Sequence, residues 1–133
     1  MSRIAQNGAP YLHQELTEQV IGAALDVHTA LGPGLLESAY ESCLAHEFTL
    51  RGIEFVRQVE LPVQYKDHLV ECGYRIDLLV ADRVIVELES VDRLLPIHEA
   101  QLLTYLKLSG IRIGLLINFN VKHLRDGIKR RIV

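Results

Sequence analysis

The stretch that decides the fold runs Tyr74-Arg75-Ile76-Asp77-Leu78-Leu79-Val80, then Ala81-Asp82-Arg83, then Val84-Ile85-Val86-Glu87-Leu88-Glu89. Aliphatic and β-branched residues dominate both arms, and a short polar connection separates them, which predicts two strands of a hairpin. Alternation places Ile76, Leu78 and Val80 on one face and Arg75, Asp77 and Leu79 on the other. In the second arm Val84, Val86 and Leu88 share a face, opposite Ile85, Glu87 and Glu89. A three-residue turn pairs Val80 with Val84 and thereby sets Asp77 opposite Glu87.

Working outward, Leu16, Val20, Ala23, Ala24, Val27 and Leu31 recur at helical spacing, with Thr17 as the expected cap. Gly32-Pro33-Gly34 ends that helix, because proline cannot continue the hydrogen-bond ladder. A second helix is expected from Leu35 to about Leu50, burying Leu36, Ala39, Tyr40, Cys43 and Leu44. Strand-like segments follow at Ile53–Val59, Leu61–Tyr65 and Leu69–Cys72, with Lys66-Asp67-His68 as a turn. After the deciding stretch, Pro96 opens a helix over Ile97–Leu108. Ile111–Asn118 reads as a strand buried on both faces, and Val121–Arg130 as a short final helix. Gly8 and Pro10 discourage regular structure at the start, so residues 1–14 are expected to be a flexible lead-in and 15–133 one domain. This order specifies a mixed α/β class, a central mixed sheet flanked by helices.

Composition narrows the function. The chain has 133 residues, 49% hydrophobic and 23% charged, with a net charge of -3. That excludes a disordered chain and suits a single packed core. Cys43 and Cys72 form no metal-ligand pattern and fit a reducing compartment, so the expected setting is cytoplasmic. No apolar run approaches the ~20 residues that span a bilayer, so no membrane partner is expected. From Lys122 onward five basic residues face one acid, Asp126, which leaves -7 on the remainder of the chain. A uniformly basic nucleic-acid footprint is therefore absent. The basic end reads first as a solvated helix and second as a phosphate contact.

Opposed like charges destabilise a sheet, and clustered carboxylates raise one another's pKa unless a cation lies between them. Mg²⁺ or Mn²⁺ takes one or two carboxylates and leaves room for water and phosphate. Spacing alone leaves two readings open for Asp77 and Glu87: a metal site, or a half-exposed acidic face balanced by Arg75 or Arg83. Glu37 shares a helical face with Gly34 and Tyr40, although an acid in a first helical turn also serves the helix dipole. Gln101 and Tyr105 share a face of the later helix. His98, near that helix's start, reads as structural. No glycine-rich phosphate loop, paired-histidine zinc motif or nucleophile elbow is present.

Taken together, Gly34-x-x-Glu37-x-x-Tyr40-Glu41, Gly73-Tyr74-Arg75-Ile76-Asp77, Val86-Glu87-Leu88, Leu95-Pro96-Ile97-His98-Glu99-Ala100-Gln101, Tyr105-Leu106-Lys107 and Asn118-Phe119-Asn120-Val121 resemble the GxxExxY protein family. That family is assigned to the PD-(D/E)XK nuclease superfamily and is similar to its RecB-like branch. The resemblance implies a restriction-endonuclease-like core and phosphodiester hydrolysis dependent on Mg²⁺ or Mn²⁺. It implies Glu37, Asp77 and Glu87 as metal ligands, and Gln101 and Tyr105 as further catalytic residues. It also implies nucleic acid as partner, DNA ahead of RNA, and leaves a homodimer open. One position departs from the pattern: Glu89 stands where the family has lysine. That reverses a charge expected to orient the attacking water and to stabilise the phosphate, a contact worth several kcal/mol of barrier. Arg75 and Lys107 are the nearest sequence substitutes. Three readings follow: a nuclease impaired by Glu89, a non-catalytic nucleic-acid-, metal- or protein-binding module, or a homo-oligomeric structural subunit.

Overall fold

The structure is a computed structural model and describes residues 12–133. The expected lead-in therefore lies almost wholly outside the described residues. The described elements, in chain order, are α1 (Gln14–Leu31), α2 (Glu37–Arg51), β1 (Phe55–Glu60), β2 (Val63–Tyr65), β3 (His68–Val70), β4 (Arg75–Val80), β5 (Val84–Glu89), α3 (Pro96–Ser109), β6 (Ile113–Asn118) and β7 (Ile128–Ile132), with a 3₁₀ turn at Leu124–Gly127. Five strands form one sheet in the order β1-β4-β5-β6-β7, and β2 and β3 form a separate hairpin. Among the described strands of this sheet only the β5–β6 pairing is parallel, bridged by α3, so the sheet is mixed, as expected.

Helices cover both faces. Val20, Ala23, Ala24 and Val27 of α1 and Tyr40, Leu44 and Phe48 of α2 pack against Leu78, Val80, Val84, Val86, Leu88, Leu115 and Ile117. On the other face Leu102, Tyr105 and Leu106 of α3 pack against Ile76, Ile85 and Leu116. β6 is buried along its whole length, which explains its uninterrupted apolar sequence.

The hairpin register is the expected one, with Val80 paired to Val84 and Leu78 to Val86. The expected faces need correcting. Ile76 packs with α3 whereas Leu78 and Val80 pack with α1 and α2, so alternation breaks at Asp77. The same break occurs in β1. Phe55 packs on the α2 side and Val59 on the α3 side, and Gln58 between them has a left-handed φ of 52°. Gln58 and Asp77 are the opposed positions missing from an otherwise continuous β1–β4 ladder. Such a backbone conformation is costly for a residue with a side chain and tends to persist where surrounding structure enforces it.

Three further expectations are corrected. α1 begins at Gln14, so Thr17 lies inside it, with its hydroxyl donating to the Gln14 carbonyl at 3.0 Å. Leu36, expected on the buried side of the second helix, precedes α2 and is 77% exposed, whereas Glu41, Ala45 and Phe48 of α2 are buried. The expected C-terminal helix is a 3₁₀ turn followed by β7, which pairs antiparallel with β6. Helical spacing gave way there to a sheet edge that needed a partner.

Candidate functional site

The loop Gly32–Leu36 carries the chain from α1 into α2. Gly34, at φ 99°, adopts a conformation that side-chain-bearing residues rarely take. Tyr40 fixes this loop from below: its hydroxyl donates to the Gly32 carbonyl at 2.5 Å and accepts from the Leu35 N–H at 3.2 Å. Its fully buried ring stacks on Phe119 with centroids 4.4 Å apart. Ser90, just beyond β5, donates to the Leu35 carbonyl at 2.6 Å. These contacts place Glu37, the first residue of α2, at the rim of a cleft of about 470 Å³ that Glu41, Gln58, Asp77 and Leu88 also line.

Where the strands break step, the carboxylates take over the ladder. The Asp77 N–H donates to Glu87 Oε2 at 2.8 Å, and the Leu88 N–H donates to Asp77 Oδ2 at 2.9 Å. Asp77 and Glu87 thus come together because pairing fails between them, each holding the other strand's backbone. Gln58 completes the arrangement by donating to Glu41 Oε1 at 2.7 Å and to Asp77 Oδ1 at 3.3 Å. Glu41 also pairs with Arg57 at 3.0 Å. Among the described residues that guanidinium is the one in contact with this acidic group, and it serves Glu41.

Glu87 is only 6% exposed. Burial, followed by the charge of Asp77, pushes its pKa up to about 9. Burial likewise raises Asp77, with the Leu88 N–H opposing the rise and the charge of Glu41 adding to it. Glu89 is pushed up to about 7 by burial, by the charges of Glu37 and Asp77, and by a hydrogen bond shared with Glu37.

Beside Glu89 the structure places His98, which the sequence reads as structural. His98 Nε2 lies 3.7 Å from Glu89 Oε1. The Leu95 N–H donates to His98 Nδ1 at 2.8 Å, which leaves the proton on Nε2, facing the carboxylate. Arg75 does not take this place: it is exposed and lies 3.8 Å from Glu60. Lys107 is exposed in the last turn of α3. Gln101 and Tyr105 are together, with the Gln101 amide donating to the Tyr105 hydroxyl at 2.9 Å. Burial and then the charge of Glu87 raise Tyr105, which places that phenol within the field of the acidic pair.

The donor chemistry suits a hard divalent ion: a buried Glu87 and a half-buried Asp77, with no cation in contact with either among the described residues. Among the described residues, no three His, Cys, Asp or Glu side chains converge as a ready ligand set. The closely engaged pair is Asp77 and Glu87, while Glu37 stands at the rim. Sequence reasoning missed Glu41 and Gln58. Glu41 was visible only as the acid after Tyr40, and the left-handed backbone of Gln58 has no sequence signature.

A family model described as the PD-(D/E)XK nuclease superfamily matches residues 14–131. No curated protein and no solved structure matches the chain.

Proposed function

The chain belongs to the PD-(D/E)XK nuclease superfamily, and from that premise we propose that the Asp77–Glu87 junction is a divalent-metal site for phosphodiester hydrolysis, weakened by Glu89. The observation that carries this reading is the pair of carboxylates interlocked with the opposing backbone at a break in the sheet. We further assign the chain to the GxxExxY group of the RecB-like branch, on Gly34-x-x-Glu37-x-x-Tyr40 and the Leu95–Gln101 segment, with residues 15–133 as its one domain and the cytoplasm as its setting.

Asp77 and Glu87 would hold Mg²⁺ or Mn²⁺, with Glu37 approaching from the rim. When bound, such an ion supplies charge neutralisation at the phosphate and an acidified water. The chain's own groups then act around it. Burial and the charge of Asp77 raise the Glu87 pKa, so holding a cation there would be coupled to proton release. Gln58 orients Asp77 through Oδ1 and ties it to Glu41. The Tyr105 hydroxyl, accepting from Gln101, keeps its own proton available for donation. Glu89 sets a carboxylate where the family has an ammonium group, and the neutral His98 ring faces it through Nε2.

Glu89 also favours a second reading, a nucleic-acid-binding module that does not cleave. Cleavage of single- and double-stranded DNA with Mg²⁺ or Mn²⁺ separates the two. The expected result is weak activity that rises about a hundredfold in Glu89→Lys and is lost in Asp77→Ala. Glu89→Lys remaining inactive on every substrate would leave the non-catalytic reading in place.

A further inference from the structure

Two of the C-terminal basic residues, Lys122 and Arg125, read from sequence as part of a solvated helix, instead line a second concavity. Lys122, His123 and Arg125 bound a depression of about 450 Å³ together with His28, Gly32 and Pro33. All three side chains are exposed, and none forms an ion pair with a described residue. Asp126 is the one acid among residues 121–127. The segment is held in place: buried His28 donates through Nε2 to the Val121 carbonyl at 2.8 Å, and the His28 carbonyl accepts from the Gly32 N–H at 2.7 Å. One histidine therefore anchors both the basic segment and the loop that leads into the acidic cleft.

That loop is the boundary between the two concavities. Gly32 and Pro33 line the basic one, and Leu35, Leu36 and Glu37 line the acidic one. Two residues of extended chain reach at most about 7 Å, which is about two steps of a nucleic-acid strand at ~3.4 Å each. The hydrogen bonds from Tyr40 and Ser90 make the boundary a fixed ridge. The acidic cleft repels phosphate unless it is neutralised, so a strand needs an attractive surface beside it.

We propose that Lys122, His123 and Arg125 form a docking surface for the phosphate backbone of a nucleic acid, whose path continues over the Gly32–Leu36 ridge into the acidic cleft. The proposal rests on the nuclease reading of that cleft but concerns binding, and it is tested without metal. Fluorescein-labelled single-stranded and duplex DNA are titrated with protein in EDTA by fluorescence anisotropy at several salt concentrations. The Lys122→Glu/Arg125→Glu double variant is expected to bind about tenfold or more weakly, and its log–log salt slope to fall by about two. Lys129→Glu, an exposed change on β7, is expected to bind like wild type. Lys122→Gln/Arg125→Gln repeats the test without charge reversal should the first variant lose its thermal transition. Unchanged affinity and slope in both double variants would overturn the docking surface while leaving the metal-dependent cleavage assay free to support the cleft. Wild-type protein that binds neither DNA, or that prefers polyglutamate, would overturn it as well.

Discussion

At Glu87 the backbone of one strand and the charge of a neighbouring carboxylate meet on a single side chain. Its folded pKa of about 9 stands well above the ordinary value of 4.5. Between those limits the native state binds a proton that the unfolded state has released, so stability falls as pH rises. The contribution is complete below about pH 4.5 and lost through pH 9, and the raised Asp77 and Glu89 act in the same direction. Glu87→Gln keeps an acceptor for the Asp77 N–H and removes the charge. In EDTA its melting temperature should match wild type at pH 5 and exceed it by roughly 5 °C or more at pH 9. A gap that does not widen with pH would show that Glu87 is already ionised in the fold. Sequence alone named Asp77 and Glu87, since acids stand out in apolar strands, and the family resemblance marked Glu89 as anomalous. It missed the His98 contact and the Gln58 bridge, because each depends on where α3 and β1 come to lie.

Elements decide which residues can meet. The β4–β5 register was legible because a three-residue connection admits few pairings, and Ala81 and Asp82 take it with φ of 51° and 54°. The break at Asp77 was not legible, since alternation carries no mark of where a pleat inverts. β7 was misread because Val121, Leu124 and Ile128 fall at helical spacing, although Ile128, Arg130 and Ile132 also fit period two. The α1–α2 connection shows how a motif residue can serve the scaffold. Tyr40, the last residue of Gly-x-x-Glu-x-x-Tyr, holds the loop and not the acids. Tyr40→Phe keeps the stack on Phe119 and leaves the Gly32 carbonyl and Leu35 N–H without that partner. A loss of about 1–3 kcal/mol in denaturant unfolding is expected, with faster amide exchange at Leu35 and Leu36. Unchanged stability and exchange would mean that the loop is held by its backbone alone.

Across the molecule, charge is sorted. Acids gather where β4 and β5 part company, and bases with no ion-pair partner among the described residues gather across one ridge, so a modest net charge of -3 conceals two differently charged surfaces. No described helix is long and apolar enough to cross a membrane. The central claim is that the acidic surface is built for a divalent cation. Its most direct test is a Mn²⁺ titration of the wild type and Asp77→Asn, followed by thermal unfolding at pH 7.5. Asp77→Asn keeps an oxygen for the Leu88 N–H, so the fold is expected to survive. A saturable rise is expected in the wild type, about 2.7 kcal/mol at a hundredfold excess over Kd, or roughly 10 °C, and little or none in Asp77→Asn. Identical responses from the two proteins, or none from the wild type, would contradict the account.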